Sequence, residues 1–180
     1  MTPPMLSVYT PTYRRPFLLE LCKASVANQS VRVEHVIIED TVGLGIGGMY
    51  GAIREHVGEV HGEYVRVLSD DNILVDAYFA AELGALVWTF EVHPDVVVWF
   101  GQIGQTLQPA VWGHEPEKTK IDLSCFAVRR DVWVENADKW GQNYCGDFDF
   151  IRHLWDEGCS FAWWPRLVFQ AVKISQGAPE

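Results

Sequence analysis

The sequence predicts an α/β fold, a mostly parallel central sheet flanked by helices and built as a single compact domain. Two observations carry this. Short apolar runs suited to strands alternate with stretches whose apolar residues recur at helical spacing, and glycine, proline and acidic residues punctuate the joins. The length agrees, since 180 residues can bury one core but are short for two.

Taken in order, "MLSVYT" reads as a strand, and the prolines of "PTYRRPF" separate it from a helix whose apolar residues run from Phe17 to Val26. "EHVIIED" is a second strand, "GLGIGGMYGAIREHVGEV" a glycine-rich loop passing into a helix, and "EYVRVL" a third strand. "SDDN" then leads into the helix "LVDAYFAAELGALVWTFEV" and the strand "DVVVWFGQIG". Such alternation implies parallel strands joined by crossover helices. Beyond about residue 104 the chain is loopier and rich in tryptophan, with a strand "IDLSCFAVRR", helices "DVWVENADKW" and "DFDFIRHLWDEG", and a last strand near "SFAWWPRLVF". The change of rhythm near residue 104 divides the chain into a first part, 1–104, and a second, 105–180. On this reading Thr12-Tyr13, Glu39-Asp40 and Asp70-Asp71 all fall at carboxyl ends of strands, on the rim where open α/β sheets bind ligands.

Composition excludes several classes. A chain that is 48% hydrophobic with eight tryptophans is not a disordered segment. A formal net charge of −10 disfavours non-specific binding to nucleic acid or anionic membranes. Cys22, Cys125, Cys145 and Cys159 form no CxxC pair and no zinc-finger spacing, so a reduced, cytoplasmic protein is expected. "MTPPMLSVYT" has no basic region followed by a long apolar one, and no window approaches 18 apolar residues, so neither export nor a membrane span is expected.

Taken alone, "SDDN" after a strand is a turn and helix N-cap, because short polar side chains satisfy the first N–H groups of a helix. The alternative is a divalent cation, Mn²⁺ or Mg²⁺, held by one or two carboxylates together with substrate phosphate oxygens. "LSVYTPTYRRP", "QSVRVEHVIIED" and "GEYVRVLSDDN" resemble, in order and spacing, the nucleotide-binding half of glycosyltransferase family 2, whose members have the GT-A (Rossmann-like) fold and use nucleotide-diphospho-sugars. Small spore-coat polysaccharide synthesis glycosyltransferases of that family carry a similar "GEY…DDNI" stretch. The resemblance continues through "HPDVVVWFG", "IDLSCFAVRRDVW" and "GDFDFIRHLWDEG", almost the whole chain.

The resemblance implies a metal-dependent, inverting glycosyltransferase with a UDP-sugar as the first choice of donor, a nucleotide-sugar-binding half over 1–104 and an acceptor half over 105–180. It places Asp70 and Asp71 on the DXD-like metal motif, Asp71 as the more direct ligand and Asp70 nearer the ribose or nucleotide. Thr12 and Tyr13 fall on the loop near the base, and Asp40 on the acid that meets a uracil or equivalent edge; a surface tyrosine and a loop-capping aspartate are the plainer alternatives. The glycine-rich loop lacks GxGxxG spacing and follows the second strand, which excludes a dinucleotide site. The family's basic or asparagine side chains are absent from that loop, with Arg54 further along, leaving backbone N–H groups as the alternative phosphate contacts.

An inverting transfer needs a base at the acceptor hydroxyl. The resemblance aligns Asp147 in "GDFDF" with it, Asp149 standing in reserve; as plain chemistry both are also helix-start acids. Trp112 and Asp122 fall in the acceptor half as a candidate aromatic platform and polar contact. His153 and His93 read as structural. No histidine follows "RLVF" to complete a metal shell, and Lys173 is a candidate diphosphate contact. The acceptor is any group with a free hydroxyl: a glycan, a protein side chain, a small molecule or, through a basic patch of Arg14, Arg15, Arg129 and Arg130, a modified nucleobase. Two other readings stay open, a nucleotide- or glycan-binding module without turnover and a nucleotidyltransferase.

Overall fold

The computed structural model describes residues 2–172; Lys173 lies outside them. The first strand, β1 (Leu6–Thr12), is buried along its whole length, which is why "LSVYTPT" lacks polar alternation. Pro16 opens α1 (Pro16–Ala27), where a missing N–H costs nothing, and Leu18, Cys22 and Val26 form its buried stripe. There follow β2 (Glu34–Glu39), α2 (Gly45–Glu55), β3 (Tyr64–Val67), β4 (Asn72–Leu74), α3 (Phe79–Val87) and β5 (Val96–Ile103). The remainder comprises β6 (Thr106–Gln108), β7 (Phe126–Arg129), α4 (Arg130–Glu135), α5 (Gly146–Asp156) and β8 (Phe161–Ala171).

These strands form one sheet of order β2-β1-β3-β7-β5-β8-β4, with β6 added to β5. The sheet is mixed, which corrects the expectation of a mostly parallel one. β1 runs parallel to β2 and β3, and β5 to β8. β7 enters antiparallel between β3 and β5, and β6 and β4 are antiparallel to β5 and β8. An apolar run has the same composition whichever way it points, so strand direction was inferred only from the helix alternation, and β7 follows a long loop rather than a crossover helix. Strands from beyond residue 104 therefore lie between strands from before it.

A second correction concerns "SDDN". It caps no helix: Asn72 N–H donates to Ser69 O at 2.9 Å, β4 begins at once by pairing with β8, and α3 starts only at Phe79. The aspartate pair thus sits in a tight β3–β4 turn, held on both sides by sheet.

Tyr9, Trp133, Trp140 and Phe150 pack together on one face of the sheet, with Trp140 and Phe150 stacked at 4.2 Å. On the other face, the fully buried Arg66 lies 4.8 Å from the Trp99 ring and 5.4 Å from that of Phe79. Burial pushes the Arg66 guanidinium down to about 9. Its Nη2 donates to the Ser124 carbonyl at 2.8 Å, which also accepts Trp99 Nε1 at 2.9 Å. The buried Ser124 hydroxyl accepts from Asn72 Nδ2 at 3.0 Å and Ser69 N–H at 3.4 Å. Through this one residue the turn carrying Asp70 and Asp71 is pinned to the 3-10 turn Leu123–Cys125 and to the core. Among the described residues no helix is long and apolar enough to cross a membrane.

Ser124→Ala removes the shared acceptor and strands the buried Asn72 amide. It is expected to lower the free energy of unfolding by about 1–3 kcal/mol in urea titrations.

Candidate functional site

Parallel pairing of β1 with β2 and β3 brings three strand ends to one rim. Asp40 N–H donates to Thr12 O at 2.8 Å, and the Thr12 hydroxyl donates to Asp70 Oδ2 at 2.8 Å. Asp70 is almost wholly buried, and its other oxygen receives Arg15 Nη1 at 3.2 Å. The same Arg15 nitrogen lies 3.5 Å from Asp71 Oδ2, so the two carboxylates share one positive group. Asp71 is the open member of the pair. Partial burial first, and the Asp70 charge second, push its carboxyl up against the pull of Arg15.

The donor set here is two hard carboxylate oxygens already converging on one cation. It fits a divalent ion of the Mg²⁺ or Mn²⁺ type that takes its remaining ligands from phosphate and water. It does not fit a closed protein cage, since no group of three or more His, Cys, Asp or Glu is placed to hold a metal among the described residues.

Beside this pair opens a cleft of about 450 Å³, lined by Thr12, Tyr13, Arg15, Asp40, Asp70 and the glycine-rich turn. Asp40 is the loop-capping aspartate. Its carboxylate accepts the N–H groups of Val42, Gly43 and Leu44 at 2.9, 2.7 and 2.6 Å. The slight desolvation of the group pushes its carboxyl up, but those three donors outweigh it and hold the group below the usual range. Gly43 takes φ +85°, and a Cβ there would lie 2.8 Å from the Tyr13 hydroxyl, so the capped turn closes directly over Tyr13.

The glycines of α2 have a packing task that the sequence did not disclose. A Cβ on Gly47 would collide with the Gln142 carbonyl, and one on Gly146 would meet the Tyr50 ring at 2.5 Å. Tyr50 also stacks on Trp140, and Arg54 Nη1 donates to the Trp140 carbonyl at 3.0 Å. One side of α2 therefore walls the cleft while the other grips the segment that opens α5. Arg54 is engaged there and not at the cleft.

α5 begins with the second acidic cluster. Burial, the largest influence, pushes the Asp147 carboxyl up to about 7. The Phe148 N–H at 2.8 Å opposes this, and the charges of Asp122 and Asp149 add to it. Asp149 turns the other way, accepting Asn143 Nδ2 at 3.1 Å beside Gly141, and serves the loop that precedes the helix. Asp122 accepts the Ser124 N–H at 2.8 Å; its carboxyl is raised by burial, and among the charged groups it feels Asp71. Asp122 thus feels the charge of Asp71, and Asp147 feels that of Asp122.

Other residues singled out in the sequence make packing or polar contacts. Trp112 stacks on Phe100 at 4.2 Å and meets Trp163 edge-on, as part of the aromatic packing against the sheet. His153 bonds Asn136 and His93 pairs with Glu63, both structural as expected. The four arginines form no common patch. Arg129 lies opposite Tyr64 at the start of β3, paired with Asp95 and Asp131, whereas Arg15 is at the far end of that strand. Sequence reasoning missed the roles of Arg15, Tyr50 and Ser124. Arg15 was visible in "TYRRP"; nothing local marks the other two.

Several solved structures share this architecture. Residues 1–349 of S. aureus TarS in complex with UDP match with a TM-score of 0.71 at 13% identity, covering 93% of this chain and 60% of that one. The fold is glycosyltransferase-like. The same region of TarS in complex with UDP-GlcNAc matches with a TM-score of 0.69 at 14% identity, over 94% and 59% of the two chains. The longer S. aureus TarS matches with 0.69 at 13% identity, over 93% and 36%. The chain thus spans about 60% or less of the TarS chains it matches. No protein-family model matches the sequence, and no curated protein matches it.

The raised Asp147 carboxyl has a signed consequence for stability. Its folded value near 7 exceeds the ordinary 3.8, so its contribution is fully present below about 3.8 and is lost as pH rises through 7. Asp147→Asn is expected to flatten the decline in unfolding free energy between pH 4 and 7, where each pH unit is worth up to about 1.4 kcal/mol, in urea titrations across that range.

Proposed function

We propose that this chain is the donor-binding and catalytic portion of a metal-dependent, inverting glycosyltransferase of the family-2 type, using a nucleotide-diphospho-sugar, with UDP as the first nucleotide to test. The observation that carries the reading is the rim itself. A carboxylate pair suited to a divalent cation adjoins a cleft, and the start of α5 carries a carboxyl raised to about 7 by burial. The fold and the UDP and UDP-GlcNAc complexes of TarS support the choice of donor.

Each residue then has a task. Tyr13 and the Asp40-capped turn form the wall for the nucleoside, and Thr12 and Arg15 fix Asp70, which orients Asp71. A divalent cation bound by Asp71 and Asp70 would supply neutralisation of the departing diphosphate. Asp147, ionised, takes the proton of the acceptor hydroxyl as its oxygen attacks the anomeric carbon opposite the leaving nucleotide. A base with a value near 7 is half-ionised at neutral pH yet keeps enough basicity to accept that proton. The non-catalytic alternative leaves the buried, elevated Asp147 without a purpose, which is why transfer is preferred.

The test is calorimetric titration of UDP with and without Mn²⁺, followed by turnover assays with UDP-sugars. Asp71→Ala is expected to lose metal-dependent UDP binding. Asp147→Asn is expected to bind UDP as the wild type does while transfer falls at least about a hundredfold, the range general-base catalysis supplies. In the wild type kcat/KM should rise with pH through about 7. Unimpaired transfer by Asp147→Asn would remove that residue from the mechanism.

A further inference from the structure

Arg15 touches more than the Asp70 carboxylate that it fixes. Its Nη1 lies 3.2 Å from Asp70 and 3.5 Å from Asp71, so one nitrogen serves two neighbouring carboxylates that would otherwise repel each other. The three groups are not equally held. The Asp70 side chain is 6% exposed and has the Thr12 hydroxyl as a second partner. The Arg15 side chain is 54% exposed and that of Asp71 41%, and a contact of 3.5 Å is at the outer limit of hydrogen bonding. Arg15 to Asp71 is therefore a loose electrostatic contact resting on a well-fixed neighbour.

The backbone beneath Arg15 is constrained while its head is not. Arg14 takes φ +51°, a left-handed conformation unusual outside glycine, and Pro16 restricts the residue before it. The long side chain thus swings from a fixed root on the wall of the cleft. Among the described residues lining that cleft, Arg15 is the one Lys or Arg, set against Glu39, Asp40, Glu55 and Asp70. A diphosphate entering there meets four carboxylates and a single guanidinium, and Arg54, the nearest basic side chain on α2, is bound to the Trp140 carbonyl.

We propose that Arg15 is a built-in cation of the Asp70–Asp71 pair that a divalent metal ion displaces, and that the displaced guanidinium is the protein's own contact to the diphosphate of the nucleotide. The first half concerns the carboxylate pair alone; the second rests on the proposed reading of the cleft as a donor site. The exchange raises the positive charge at the pair from one to two and frees the guanidinium. Before metal enters, the guanidinium holds the turn in shape. Afterwards the metal holds it, and the bidentate fork of Arg15 faces a phosphate group whose geometry it matches.

The experiment uses Arg15→Gln with Arg32→Gln as the charge-matched control, since Arg32 lies at the other end of the sheet beside Met5 and Gly84. Mn²⁺ affinity is read by electron paramagnetic resonance of the free ion without nucleotide, and UDP affinity by calorimetry at saturating Mn²⁺. Arg15→Gln is expected to bind Mn²⁺ about two- to fivefold tighter, the factor an exposed ion pair is worth, and to bind UDP more weakly at saturating Mn²⁺ by at least a similar factor. Arg32→Gln is expected to match the wild type in both. Unchanged or weaker Mn²⁺ binding by Arg15→Gln, or an equal shift in Arg32→Gln, would overturn the exchange. UDP binding unaffected in Arg15→Gln would overturn the diphosphate contact. If the wild type bound no UDP with or without Mn²⁺, the donor reading itself would fall, while a tighter Mn²⁺ site in Arg15→Gln would still uphold the exchange.

Discussion

The buried carboxylate of Asp70 is the constraint around which the rim is arranged. Removing a carboxylate from water is unfavourable by several kcal/mol unless donors replace the solvent. Thr12 and Arg15 are those donors, and each is delivered by a different feature of the chain. Thr12 arrives because β1 pairs in parallel with β3, so their ends leave the sheet side by side. Arg15 arrives because the chain must turn sharply through Arg14 before Pro16 starts α1. The register of two strands and one strained residue therefore converge on a single side chain, and Asp71 inherits its orientation from it.

A second coupling runs through α2. The helix is rich in glycine where backbone must approach backbone, at Gly47 against Gln142, and its large residue, Tyr50, fills the space that Gly146 leaves open. Close approach is favourable because it buries Tyr50 and Trp140 in stacked contact, and glycine is the one residue that permits it. As a result the helix that walls the cleft and the segment that opens α5 form one packed unit. The absence of basic residues from the loop is a consequence of this packing role.

The strands and helices were legible in the sequence because burial imposes a period, and the rim residues because polar groups interrupt that period at strand ends. Direction was not legible. β7 has the same apolar character pointing down between β3 and β5 as it would pointing up, so the mixed sheet emerged only from the pairing. The β3–β4 turn was misread as a helix cap because "SDDN" satisfies both geometries, and what decides between them is a partner strand about 100 residues away. Ser124 and Tyr50 were invisible for the same reason: their partners, Asn72 and Gly146, are distant in sequence. Asp147 and Asp149 were separable in principle by helical phase, but that Asp149 serves the loop before the helix was read only from its Asn143 contact.

Electrostatics sets the remaining condition on the site. Asp122 feels the charge of Asp71 and Asp147 that of Asp122, and all three carboxyls are raised by burial. In a chain of net charge −10 such a cluster repels a nucleotide diphosphate as strongly as it repels its own members. On the proposed reading, positive charge at the rim is therefore a precondition for the donor as well as an aid to its departure. Arg15 provides one such charge and a divalent ion would provide two more. On the same reading a cation near Asp71 diminishes the field felt at Asp122, whose charge in turn acts on Asp147, so donor binding and the ionisation of Asp147 would be linked.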